Sequence, residues 1–406
     1  MNDTSLEDQV HDALQLAADS HQRSPLTVGD VRTRARRIRR RRTITAGAAI
    51  AAALAITVPV GLSLSGLGQR SGVQPATQPP TTVITGTVRI DPRSAPTSDT
   101  LAVPLLDVDT PSLIADGEVT ELPETYDQLT PYLDGWIGVV NNEGAYSVRQ
   151  LDADFQVVDE AVTASRLAVS ADGSRMAWAE HDSTRWYVVD VTADGSREER
   201  RTPLPEGPVE AKVDVVGFAS DTEVVVTQTD PADGALTTLR VDGSTVTPVP
   251  GFVRPWTASS ATGVVAGVTR VLDDLSSCSA VIDAQTRTGT PPWATCDYTL
   301  AAFSPDGRYV VGLASYLDGN GSPTLAVLDA ATGEAVIDYE LIGPRNSIVG
   351  INDRVAWEDA DTLIVTMVSR DRQFVLRLGL DGTVERITAP GAELEPDRIS
   401  LVVAAN

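Results

Sequence analysis

From Leu101 onward the sequence predicts an all-β fold, and three observations carry that reading. The chain is written as short runs rich in Val, Leu, Ile and aromatic residues, separated by Asp-Gly, Asn and Pro turns, with no segment sustaining a helical period. The runs repeat: LAVSADGSRMAWAE (167–180) and LAAFSPDGRYVVGLAS (300–315) share an apolar strand, a Ser-x-Asp-Gly turn and a second apolar strand. VVGFASDTEVVVTQTD (215–230) is a degenerate copy and TASSATGVVAGVT (257–269) a weaker one. A second turn signal follows each about twenty residues later, in VVDVTADGS (188–196), TLRVDGS (238–244), VIDAQTRTG (281–289), VLDAATGEAV (327–336) and LGLDGTV (378–384). Both series recur at roughly 40–50 residues, the period of a four-stranded blade. The expected architecture is a seven-bladed β-propeller, with six or eight blades as alternatives.

In chain order, residues 1–42 read as a short helical tail. Thr4-x-x-Glu7 is a capping box ahead of Leu6, Val10 and Leu14, and Thr27-x-x-Asp30 caps a second stripe of Val28, Val31, Ala35 and Ile38. Eight arginines crowd residues 32–42, and no charge then appears from Thr43 to Gln69. That uncharged stretch, taken as a transmembrane helix over 43–67, is long enough to cross a bilayer core of about 30 Å. The arginines keep their end in the cytoplasm, so everything beyond is expected outside. A cleaved signal is the competing reading, with Ser63-Leu64-Ser65 as a small-x-small site and Arg41-Arg42 as a poor twin-arginine motif. The 42 residues ahead of the apolar run favour an uncleaved signal anchor. Residues 68–100 have the Gly, Ser, Thr, Gln and Pro content of a linker.

The propeller is assigned to 101–406, with blades near 101–124, 130–163, 166–207, 211–251, 255–296, 299–342 and 347–390. Aspartate bonds its own backbone two residues on, and glycine takes the positive φ of a tight turn. Ser170, Asp172 and Gly173, and likewise Ser304, Asp306 and Gly307, therefore join an innermost strand to the second. Ala168, Ala301 and Ala302 suit the crowded centre. The first unit shows three strands only, whereas a spare run, Ile399–Ala404, follows the last. It is expected to enter the first blade as its innermost strand and close the ring.

Cys278 and Cys296 flank the turn 283–289 and are equidistant from Arg287. If that turn joins antiparallel strands, the two face each other, and a structural disulfide is expected. Free thiols and a redox pair are the alternatives; a redox pair is more often spaced Cys-x-x-Cys.

The turn repeats, Ser304-Pro305-Asp306-Gly307-Arg308 and Ser170-Ala171-Asp172-Gly173-Ser174, resemble those of TolB-like, WD-repeat-like β-propellers. An Arg-rich tail, one membrane helix and an outer propeller together resemble membrane-anchored proteins common in actinobacteria. The resemblance covers about three quarters of the chain. It implies fold more than function, because such propellers serve as binding platforms, enzyme scaffolds and sensors. The Trp-Asp dipeptide of true WD repeats is absent.

Candidate chemistry is sparse. Residues 70–406 hold 23 basic against 50 acidic groups, a net of −27, which argues against a nucleic-acid partner. Lys212 is the single lysine, and beyond the membrane segment His181 is the single histidine, expected in a solvated loop. No G-x-S-x-G elbow, zinc set, P-loop or dinucleotide fingerprint is present, and no cofactor is expected. Asp318, Asn320 and Ser322 have the opening spacing of a calcium loop but place Pro323 where an EF-hand needs glycine. Of the six tryptophans, most are expected to pack between blades, with one or two left to line a binding face. The expected function is non-catalytic binding of a protein or glycan at the propeller face. The alternatives are a transmembrane sensor whose tail holds a sigma factor and a propeller hydrolase or lyase.

Overall fold

The computed structural model describes residues 86–401, apart from 116, 143–144, 183, 197–198, 207–210, 274–275, 287, 316–320, 343–348, 370–371 and 389–398. Residues 1–42, the stretch 43–67 expected to cross a membrane, and Asp318 and Asn320 lie outside the described residues. Among those described, every regular element is a strand, and no helix is long and apolar enough to cross a membrane.

The strands form seven antiparallel blades in a ring. Blades 2 and 3 are joined into one sheet by a single bridge between Ala164 and Glu180. The innermost strands run Gln128–Tyr132, Ala168–Val169, Lys212–Phe218, Arg254–Ser259, Tyr298–Phe303 and Val349–Trp357 in blades 2 to 7. Blade 1 receives its innermost strand from the far end of the chain. Ile399–Leu401 pairs antiparallel with Leu105–Asp107, which pairs in turn with Ser112–Ala115. The spare run beyond the last blade thus fills the place missing from the first, over Ile399–Leu401 of the expected 399–404.

The strands begin earlier than composition suggests. Within the segment read as linker, Gly86–Ile90 adds a parallel fifth strand to the outer edge of blade 6, from Gly86 opposite Ile337 to Ile90 opposite Leu341. Thr97–Ser98 does the same on blade 7, against Arg386 and Ile387. Two otherwise open edges are thereby covered.

Seven apolar clusters fill the seven junctions between blades. The richest lies between blades 6 and 7, with Tyr309, Tyr339, Trp357, Phe374 and Leu376. The thinnest lies between blades 4 and 5, where the buried members are Ala219, Val225, Val265 and Ala284.

The Ser-x-Asp-Gly turns show why those residue types recur. In blade 3 the Ser170 hydroxyl donates to Asp172 Oδ1 at 2.6 Å and accepts the Arg175 N–H at 2.9 Å, while Ser174 N–H reaches the same carboxylate at 3.1 Å. Blade 6 repeats the set: Ser304 to Asp306 at 2.6 Å, Tyr309 N–H to Ser304 at 2.9 Å, Arg308 N–H to Asp306 at 3.0 Å. Gly307 sits at φ 70°, and a Cβ there would lie 2.5 Å from Ser259 Oγ, so only glycine fits.

A polar feature without a sequence signature also recurs. At equivalent places on the third strands of blades 3, 4 and 7 stand Asp190, Arg240 and Arg377, opposite Ala177, Val225 and Ile364. Asp190 pairs with Arg175 and, at 2.6 Å, with Arg200. In the next blade the polarity is reversed: Arg240 bonds Glu223 at 3.1 Å, and Gln285 of blade 5 donates to the same Glu223 at 2.6 Å. Arg377 bonds Glu358 at 2.6 and 2.8 Å, Glu385 at 2.8 Å and the Thr100 carbonyl at 2.7 Å. Blades 5 and 6 place Val281 and Val327 there instead.

Candidate functional site: the loop-side mouth of the channel

Antiparallel connectivity sorts the connections onto two faces. Turns from inner to second strand and from third to outer strand share one face. Loops from second to third strand and between blades share the other, and the inner strands of blades 2 to 7 begin at that loop face.

Blade 3 has an inner strand of only two residues. The segment before it is fixed by Ser165, whose N–H donates to the Ala179 carbonyl at 2.7 Å and whose hydroxyl accepts the Ala179 N–H at 2.8 Å. That leaves Arg166 exposed at the mouth. Its Nε donates to the Tyr146 hydroxyl at 3.2 Å, and its guanidinium lies 5.5 Å from the Tyr146 ring centre. Lys212, which opens the inner strand of blade 4, places Nζ 5.9 Å from the same ring and 3.6 Å from Asp214.

The inner strand of blade 5 is bulged. Pro255 pairs with Gly267 and Thr257 with Ala266, so Trp256 is the unpaired residue and turns outward, 40% exposed. Gly267 permits this, because a Cβ there would lie 2.4 Å from Pro255 Cα. The Arg254 guanidinium rests 4.5 Å from the Trp256 ring centre. Blades 4 and 6 bulge at the corresponding level, at Val216 and at Ala301–Ala302, and blade 7 at Asn352–Arg354. Gly217 lies against the Ala258 backbone, so the inner strands of blades 4 and 5 approach closely there.

Three cations thus open the inner segments of consecutive blades: Arg166 and Lys212 share the Tyr146 ring, with Asp214 paired to Lys212, and Arg254 lies on the Trp256 ring. These side chains offer N–H donors and indole surface to a ligand.

The other sequence candidates have structural employment. Cys278 and Cys296 are bonded. The Ser322 hydroxyl donates to the Thr324 carbonyl at 2.5 Å and accepts the Ala314 N–H at 2.8 Å, and among the described residues no group of three His, Cys, Asp or Glu side chains could hold a metal. His181 departs from expectation: it is half-buried, packed edge-on against Trp186 with ring centres 5.2 Å apart. Its place opposite Trp186 at the end of a strand pair explains the difference. Trp136, Trp178, Trp186, Trp293 and Trp357 pack in junctions between blades, and Trp256 alone among the six is exposed.

Ring closure, seven blades and a mouth rimmed by inner strands define this chain as a seven-bladed β-propeller. No family model matches it, and no curated protein matches it. Solved structures similar to it include TolB from Acinetobacter baumannii, at 11% identity and a TM-score of 0.35 over 70% of this chain and 61% of that one. A functionally unknown protein from Desulfotomaculum acetoxidans is 14% identical, with a TM-score of 0.44 over 74% and 99% of the two chains. The propeller domain of the Trilobed protease from Pyrococcus furiosus is 7% identical, with a TM-score of 0.43 over 64% and 83%. This chain thus spans about three fifths of the TolB length, and its architecture rests on its own strand pairing.

Proposed function

We propose that the protein is a single-pass, membrane-anchored binding module, with a cytoplasmic N-terminus and a non-catalytic propeller outside that takes a protein or glycan ligand at the loop-side mouth. The observation that carries the binding role is Trp256, turned out of the innermost strand by a bulge and flanked by Arg254, where the other five tryptophans pack in junctions between blades. Exposed aromatic and arginine side chains in a concave setting are the commonest anchors of binding energy. Anchoring is supported by the arginine cluster beside an uncharged stretch of membrane-spanning length.

Two experiments test the two halves. Alkaline phosphatase fused after Asn406 should be active and fused before Met1 inactive; the reverse pattern ends the topology. A photo-crosslinking residue at position 256 should trap an adduct on intact cells, while one at Val158, exposed on the outer strand of blade 2, should not. Equal labelling at both positions, or none at 256, ends the binding site.

A further inference from the structure

Blade 5 holds two sulfurs that are not equivalent. Its third strand, Ser277–Asp283, and outer strand, Trp293–Thr295, pair through Ser279 and Thr295, so the Cys278–Cys296 bond lies one residue beyond that pair, on the loop side. The chain then passes through Asp297 into the inner strand of blade 6. Cys278 is 3% exposed, whereas Cys296 is open to solvent. Arg270, opposite Cys278 on the second strand, places Nη2 3.4 Å from Cys278 Sγ and 3.9 Å from Cys296 Sγ.

We propose that this bond is a thiol–disulfide exchange site for low-molecular-weight thiols, with Cys296 as the attacked sulfur and Arg270 stabilising Cys278 as the leaving thiolate. An external thiolate forms a bond to Cys296 Sγ, the protein's sulfur–sulfur bond breaks, and its electron pair departs on Cys278 Sγ. A second external thiolate then attacks the outer sulfur of the mixed disulfide and releases Cys296 as thiolate. Two thiols are oxidised to one small disulfide, and the protein disulfide is reduced to two thiols. Departure of negative charge into a buried site is costly; a guanidinium in contact with Cys278 Sγ offsets that charge, and a better leaving group speeds exchange.

The consequence reaches the next blade. Ser277, beside Cys278, donates its N–H to the Ser315 carbonyl of the loop in blade 6 at 3.3 Å, and its hydroxyl lies 3.0 Å from that of Thr299 on the inner strand of blade 6. Opening the bond releases a three-residue outer strand and loosens this junction.

Full-length protein in detergent, treated with glutathione and trapped with acid, tests the site by peptide mass spectrometry. The adduct is expected on Cys296; an adduct on Cys278 overturns the proposal, and this arm needs no variant. Arg270→Met should shift the exchange equilibrium about tenfold toward the disulfide, about 30 mV, and slow the first step, with Arg270→Lys restoring most of both. Identical rates and equilibria in wild type and Arg270→Met, with unchanged circular dichroism, overturn it, as does Arg270→Lys behaving like Arg270→Met.

Discussion

Arg377 ties three segments together, because its guanidinium spans Glu358, Glu385 and the carbonyl of Thr100. Burial pushes the Glu358 carboxyl up, but the hydrogen bond from Arg377, the N–H of Ala102 and the arginine's charge outweigh it and leave its pKa below the ordinary value. Replacing Arg377 with alanine strands a largely buried carboxylate and should cost about 3 kcal/mol in chemical denaturation. Asp172 is likewise held low, chiefly by the Ser170 hydroxyl, and Asp381 by the Thr383 hydroxyl. These groups have lower pKa values folded than unfolded, so the unfolded chain binds more protons between the two. Their stabilisation is complete above the unfolded carboxylate range, near pH 4, and is lost as pH falls through the folded values. Denaturation midpoints should therefore be flat from about pH 7 to 5 and fall below about pH 4, with a shallower fall in Asp172→Asn. A midpoint that declines on raising the pH from 5 to 7 would contradict this assignment.

At the scale of elements, closure and edge cover can be tested separately. Deleting residues 399–406 removes the inner strand of blade 1 and should convert one cooperative unfolding transition into a broader, earlier one. Deleting everything before Asp99 uncovers the outer edges of blades 6 and 7, and aggregation rather than unfolding is the expected outcome, read by light scattering. Replacing both cysteines with serine should cost about 3 kcal/mol. The blades were legible in the sequence because two turns, at Ser170–Gly173 and Ser304–Gly307, carry a local code of serine, aspartate and glycine, and weaker copies recur at the same spacing. The covering strand Gly86–Ile90 was illegible for a physical reason: its partner, Ala335–Leu341, is some 250 residues away in parallel pairing, which leaves no local signature. Trp256 was visible as one of six tryptophans, but its exposure depends on a bulge that no short motif specifies. The cross-strand pairs at Asp190, Arg240 and Arg377 have no sequence signature because one position carries aspartate in blade 3, arginine in blades 4 and 7, and valine in blades 5 and 6.

Across the whole ring, the seven junctions are unequal. Large side chains pack between blades 6 and 7, each worth about 1.5–3 kcal/mol on burial, whereas the buried members between blades 4 and 5 are alanines and valines, with Phe252 partly buried beside them. Native-state hydrogen exchange should therefore open first at the inner strands Lys212–Phe218 and Arg254–Ser259, and not at the closing strand Ile399–Leu401. Slow exchange there with fast exchange at Leu105–Asp107 would refute this order. Lys212 and Arg254 open the two inner strands of that junction, so a ligand bridging them should slow its exchange.

A ring of near-copies faces a problem of addressing, since any blade that resembles its neighbours can be seated one place too early or too late. The wedge between blades 3 and 4 offers an arginine on the second strand and an aspartate on the third, Arg175 and Asp190, whereas the next wedge offers Glu223 and Arg240. Blade 4 slipped into the place of blade 3 would leave Glu223 facing a neighbour without Gln285, and blade 3 in the place of blade 4 would bring Arg175 there instead. The two wedges thus carry opposite charge order, and neither blade fits the other's place without a mismatched charge.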